Sequence, residues 1–154
     1  MNRRDGFTLI ELLVVISVFT ILLYGVSRLL IHTTEQSARI TAQQESLESA
    51  RIAVDALTVN LQMADEITLH TYADGALRRI YLFQIDSAGL RHRFVFTNNR
   101  TANRLLFSGN ELASNINDVR LSVDGGLMHI AVTAGEALGE SITLTGTVDI
   151  RYKD

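Results

Sequence analysis

Gly6-Phe7-Thr8-Leu9-Ile10-Glu11-Leu12-Leu13-Val14-Val15 sets a single carboxylate at the edge of a long apolar run. From residue 12 to residue 31 the run is interrupted only by Ser17, Thr20, Gly25, Ser27 and Arg28. About 20 residues at about 1.5 Å each cross the roughly 30 Å hydrocarbon core of a bilayer, so the stretch predicts one membrane-spanning helix. An acidic side chain at the centre of such a helix costs roughly 2.5–3.5 kcal/mol, and less near its end. Glu11 therefore needs a partner or a purpose, and it is the first candidate functional residue.

Ahead of the run, Met1-Asn2-Arg3-Arg4-Asp5-Gly6 forms a short basic leader. Arg3 and Arg4 hold that end on the cytoplasmic side by the positive-inside tendency, so the remainder of the chain is expected to be exported. A secretory signal would have an apolar region of about 7–15 residues ending in an A-x-A-like site. The longer run and the absence of such a site predict that the apolar segment is retained.

The stretch from Gly6 to Val15 resembles the class III signal of type IV pilins and of the pseudopilins of type II secretion. That resemblance implies a membrane peptidase that cuts between Gly6 and Phe7 on the cytoplasmic face and methylates the new amino terminus of Phe7. A glycine lets a backbone approach an enzyme closely, which suits Gly6 to this place. The resemblance also implies that Glu11 neutralises the amino terminus of the preceding subunit and so fixes register in a filament. Within one chain, Phe7 and Glu11 stand at i and i+4, and a local pair between them is the alternative. The implied partners are other pilin or pseudopilin subunits, the prepilin peptidase and an inner-membrane assembly platform. The implied location is the bacterial cytoplasmic membrane as a single-pass protein, and then a filament. Major pilins of this family often carry a helix-kinking proline in the span. This chain has no Pro at all, which points toward a minor subunit.

Four segments are expected: a cleaved leader at 1–6, a membrane and filament-core helix at 7–31, an amphipathic helix at 32–66 and an antiparallel β head at 67–154. In the second helical segment, Leu47, Ala50, Val54, Leu57, Leu61 and Ala64 recur at three- and four-residue spacing and predict one buried stripe. A continuous helix over 7–64 would have about 58 residues and a length of about 87 Å. Its polar middle, Thr33-Thr34-Glu35-Gln36-Ser37, is the expected place for a bend or a local loss of helix. Beyond it, strands are predicted at 67–72, 79–85, 91–97, 104–107, 119–123, 127–133 and 142–152. They are separated by the turn signals Ala73-Asp74-Gly75, Asp86-Ser87-Ala88-Gly89 and Asp124-Gly125-Gly126. The fold class is α+β, one long helix packed on a meandering antiparallel sheet. The helix at 48–64 and the tail from Ala113 onward are similar to J-type minor pseudopilins and W-type minor pilins.

The formal net charge of −3 and a pI near 5.8 give the whole chain no basic stripe, and no nucleic-acid partner is expected. Zero Cys excludes disulfides and thiolate metal sites. His70, His92 and His129 are far apart and form no H-E-x-x-H pair, so neither a metal site nor a cofactor is predicted. Glu136 and Glu140 read as a solvated loop, with calcium as the competing reading. Asn99-Arg100-Thr101 fits the N-glycosylation pattern by accident, given a leader of prokaryotic type. With neither a nucleophile elbow nor a phosphate loop in view, no catalytic residue is assigned and the chain is not expected to be an enzyme. The sequence is read as a minor prepilin-like subunit that works by assembling or priming a filament. The other readings are a major pilin or pseudopilin and, in a different class, a membrane-anchored enzyme or sensor domain.

Overall fold

A computed structural model describes residues 8–135 and 141–150. The chain forms two units, Met1–Ile40 and Thr41–Asp154, and one helix, α1 (Leu9–Met63), contributes to both. Helical structure runs through residues 33–37, where the sequence suggested a break. No glycine or proline interrupts it there. The Thr33 and Thr34 hydroxyls donate to the carbonyls of Leu30 and Ile31 at 2.9 and 2.8 Å, so their polarity is absorbed by the helix itself. The helix stops at Met63, three residues short of the boundary expected at 66, because Asp65 already bonds to the sheet through its amide and the Phe83 carbonyl.

Eight strands follow: β1 (Glu66–Thr71), β2 (Leu77–Ile85), β3 (Arg91–Asn99), β4 (Arg104–Phe107), β5 (Asn110–Ser114), β6 (Ile116–Asp124), β7 (Leu127–Ala134) and β8 (Ile142–Asp149). They make two antiparallel sheets rather than one, a five-stranded sheet in the order β1-β2-β3-β4-β5 and a three-stranded sheet in the order β6-β7-β8. The division falls at Asn115, whose φ of 56° turns the chain out of the first sheet. Its carbonyl accepts from the Gly135 amide at 2.9 Å. The strand β5 was not foreseen; it closes on β4 through Ser108 and Gly109, both at positive φ. Asp124-Gly125-Gly126 is the tight turn expected, with both glycines at positive φ between paired Asp124 and Leu127, as a type I′ hairpin requires. The last strand ends at Asp149, so the predicted strand already stops before Ile150, and positions 151 and 152 lie outside the described residues.

The core of the second unit joins Ala50, Ala53, Leu57 and Leu61 of α1 to residues of both sheets, among them Ile80, Leu82, Phe96, Ile130, Val132 and Val148. The predicted buried stripe shifts by one residue at its start. Leu47 is 45% exposed, whereas its polar neighbour Ser46 is buried with its hydroxyl donating to the Ala42 carbonyl at 2.9 Å. At 3.6 residues per turn, 46, 50, 53, 57 and 61 hold one line along the helix, and 47 stands a further 100° round. The strand β8 comes close to this line at Gly146, where a Cβ would meet Val54 Cγ1 at 2.9 Å. Gly146→Val is accordingly expected to cost about 1–3 kcal/mol through overpacking, read as a lower melting temperature of the full chain in detergent. An unchanged melting temperature would show that β8 stands off the helix.

Charged side chains pin the turns. Arg100 bonds Asp74 at 2.6 Å and approaches Asp118 of β6 at 3.7 Å, connecting turns of the large sheet to the small one. The Arg100 hydrogen bond and the Ala76 amide hold the Asp74 carboxyl below the usual carboxylate range. His92 and the Leu90 amide do the same for Asp86.

Candidate functional site

Thr8 stands one residue before α1, and Glu11 lies in the first turn of the helix. The Thr8 amide and the Thr8 hydroxyl both donate to Glu11 Oε2 at 3.0 Å, while the Glu11 amide donates to Thr8 Oγ1 at 3.4 Å. This reciprocal arrangement is a capping box. Each side chain satisfies a backbone donor that the helix start would leave bare, and the carboxylate sits at the positive end of the helix dipole. The sequence signal for it is Thr8-x-x-Glu11, the S/T-x-x-E pattern, and the reading of Glu11 as a lone charge against lipid passed over it. Glu11 therefore has a local role that neither a filament register nor a pair with Phe7 requires. Both Thr8 bonds use one carboxylate oxygen, Oε2.

Beyond the cap, the apolar side chains of the first unit face outward on all sides: Leu9 is 83% exposed, Phe19 60% and Leu30 61%. This part of the helix is unburied, and it is long and apolar enough to cross a membrane. Two of its hydroxyls are satisfied by the helix itself. Ser17 donates to the Leu13 carbonyl and Thr20 to the Ile16 carbonyl, each at 2.8 Å, and Arg28 lies 5.9 Å from the centre of the Tyr24 ring. The Ser17 and Thr20 hydroxyls thus need no other helix to carry them in lipid.

Gly6 and Phe7 lie outside the described residues, as do Glu136 and Glu140. The three head histidines stay apart on separate strands: His70 packs edge-on to Tyr81, His92 contacts Asp86 at 3.0 Å, and His129 Nδ1 is 3.4 Å from the Thr147 hydroxyl. Among the described residues, no group of three or more His, Cys, Asp or Glu is placed to hold a metal ion.

No curated protein and no solved structure is similar enough to this chain to count as a match. The family described as the prokaryotic N-terminal methylation motif matches residues 1–26, which cover the leader, Gly6, Phe7, the capping box and the first turns of the apolar helix. A long amino-terminal helix packed on antiparallel sheets is the α+β architecture consistent with the pilin fold. Over residues 1–26 the chain carries the signature of the type IV pilins and pseudopilins.

Proposed function

We propose that this chain is a prepilin-like minor subunit of a type II secretion pseudopilus or a type IV pilus, acting by assembly and priming of the filament. The observation that carries the reading is the methylation motif lying over the start of a helical stretch, residues 9–31, whose apolar side chains are left uncovered. A surface of that kind suits lipid first and the helices of other subunits afterwards. The unbroken α1, with no proline in the chain, supports the minor role over the major one. In this reading the peptidase cuts between Gly6 and Phe7 with the leader in the cytoplasm, the Phe7 amine is methylated, and the head is exported. Cleavage frees an amine that stays positively charged after methylation. Glu11 Oε2 is engaged by Thr8, and the carboxylate can offer its second oxygen to the amine of a neighbouring subunit.

The test is the intact mass of the chain purified in detergent from a host that contains the prepilin peptidase. Loss of residues 1–6 and gain of one methyl group is the expected result, and a full-length mass would contradict it. Gly6→Val is expected to leave an uncleaved membrane protein of normal abundance, since neither the span nor the head is touched. Normal cleavage of that variant would remove Gly6 from the site.

A further inference from the structure

The outer face of the five-stranded sheet combines cationic and aromatic groups in one place. Tyr81 and Phe83 alternate outward on β2 while Ile80 and Leu82 point into the core. Pairing with β3 sets Arg93 opposite Phe83 and Arg91 opposite Ile85, and pairing with β1 sets His70 opposite Arg79. The Arg91 guanidinium stacks on Phe83 at 3.9 Å from the ring centre and pairs with Glu66; Arg93 lies 6.0 Å from the centre of Tyr81, and His70 meets the same ring edge-on at 5.3 Å. Arg79 and Arg93 have no ion-pair partner among the described residues. Arg91 and Arg93 stand two residues apart on β3 and Arg79 two residues before Tyr81 on β2, so three arginines outnumber Glu66 on this part of the face although the chain carries a net −3.

We propose that this face binds single-stranded nucleic acid, with bases stacking on Tyr81 and on the Arg91–Phe83 pair and phosphates taken by Arg79 and Arg93. Charge complementarity selects a polyanion. Two planar platforms about 7 Å apart on one strand select one with exposed planar bases over a duplex or a sugar chain. The net charge of the chain, from which no nucleic-acid partner was expected, describes the sum of the surface and not this part of it.

The test uses the full chain in detergent and a fluorescein-labelled 15-nucleotide oligo(dT), read by anisotropy, with a duplex of equal length and heparin as comparators. Binding is expected in the micromolar range, tighter than for duplex, with a log–log salt slope of about −1.4 for the two phosphates. Tyr81→Ala is expected to weaken binding about tenfold, and Tyr81→Phe to restore it, since only the phenyl ring stacks. Arg79→Gln with Arg93→Gln should flatten the salt slope. Both sets of variants sit on exposed or half-buried positions, and unchanged melting temperatures serve as the control for folding. Absence of binding at about 100 μM protein overturns the proposal. So does binding that tolerates Tyr81→Ala, or equal affinity for duplex or heparin, which would make the face a general polyanion surface.

Discussion

Glu11→Leu is expected to be cleaved, methylated and inserted normally, and to fail in assembly. Replacing the carboxylate makes the segment more apolar, so insertion is as good or better, and the bond after Gly6 is unaltered. The amine of a neighbouring subunit then enters the helical bundle without its counter-charge. Leaving one partner of a buried pair uncompensated costs about 3–5 kcal/mol, which is two to three and a half orders of magnitude in subunit association. The capping box complicates a single substitution, because Glu11→Leu removes the cap and the charge together. Glu11→Gln separates them. A Gln at this helix position still accepts from the Thr8 amide, so the helix start is kept while the charge is lost. If register is the role of Glu11, Gln fails in assembly as Leu does. Thr8→Val, which keeps the charge and removes the cap hydroxyl, should still assemble. Assembly by Glu11→Gln with failure by Thr8→Val would instead make the cap the function of this residue.

Leu57→Asp is expected to unfold the second unit or to lower its melting temperature by at least about 12 °C. Leu57 of α1 is fully buried and belongs to one core cluster with residues of both sheets. An unpaired carboxylate there loses the packing of the leucine and meets no donor, a cost of about 3–5 kcal/mol. At about 4 °C or more per kcal/mol for a domain of this size the change is large against measurement. Ile52→Asp provides the contrast, since Ile52 is 43% exposed on the same helix. Its effect should stay within about 0.5 kcal/mol. Thermal unfolding of the full chain in detergent, followed by circular dichroism, compares the two. Equal melting temperatures for both variants would place the stripe of α1 against solvent or another subunit.

The parts legible in the sequence are those set by long, regular patterns. A largely apolar stretch of twenty residues defines the first helical segment, the spacing of Ala50, Leu57 and Leu61 defines the buried line of the second, and the paired glycines at 125 and 126 define a hairpin. What was missed depends on single residues or on pairings that sequence distance hides. The split into two sheets turns on the left-handed conformation of Asn115, and β5 depends on Ser108 accepting a positive φ beside Gly109. Neither residue type demands that geometry, so neither turn announces itself. Leu47 was misplaced because Leu47 and Ser46 stand three and four residues before Ala50, and hydrophobicity favours the leucine where the helix line runs through the serine. The cationic face of the large sheet needs the β2–β3 register before Arg93 becomes a neighbour of Tyr81, beside which Arg79 already stands two residues earlier on the same strand. At the amino terminus, by contrast, Thr8-x-x-Glu11 was fully visible and was outweighed by the cost of a charge in lipid.

The claim that this chain acts by assembly is tested most directly by crosslinking in the membrane. The chain has no Cys, so one cysteine introduced at an exposed position of the apolar helix, such as Leu22, is a unique reactive group. In cells that hold the prepilin peptidase and the other subunits, the processed Leu22→Cys chain is expected to form disulfide-linked adducts with cysteine-bearing partner subunits, and Glu11→Gln in the same background to lose them. A processed chain that forms no adducts with any subunit while the cell secretes or builds pili normally would contradict the account.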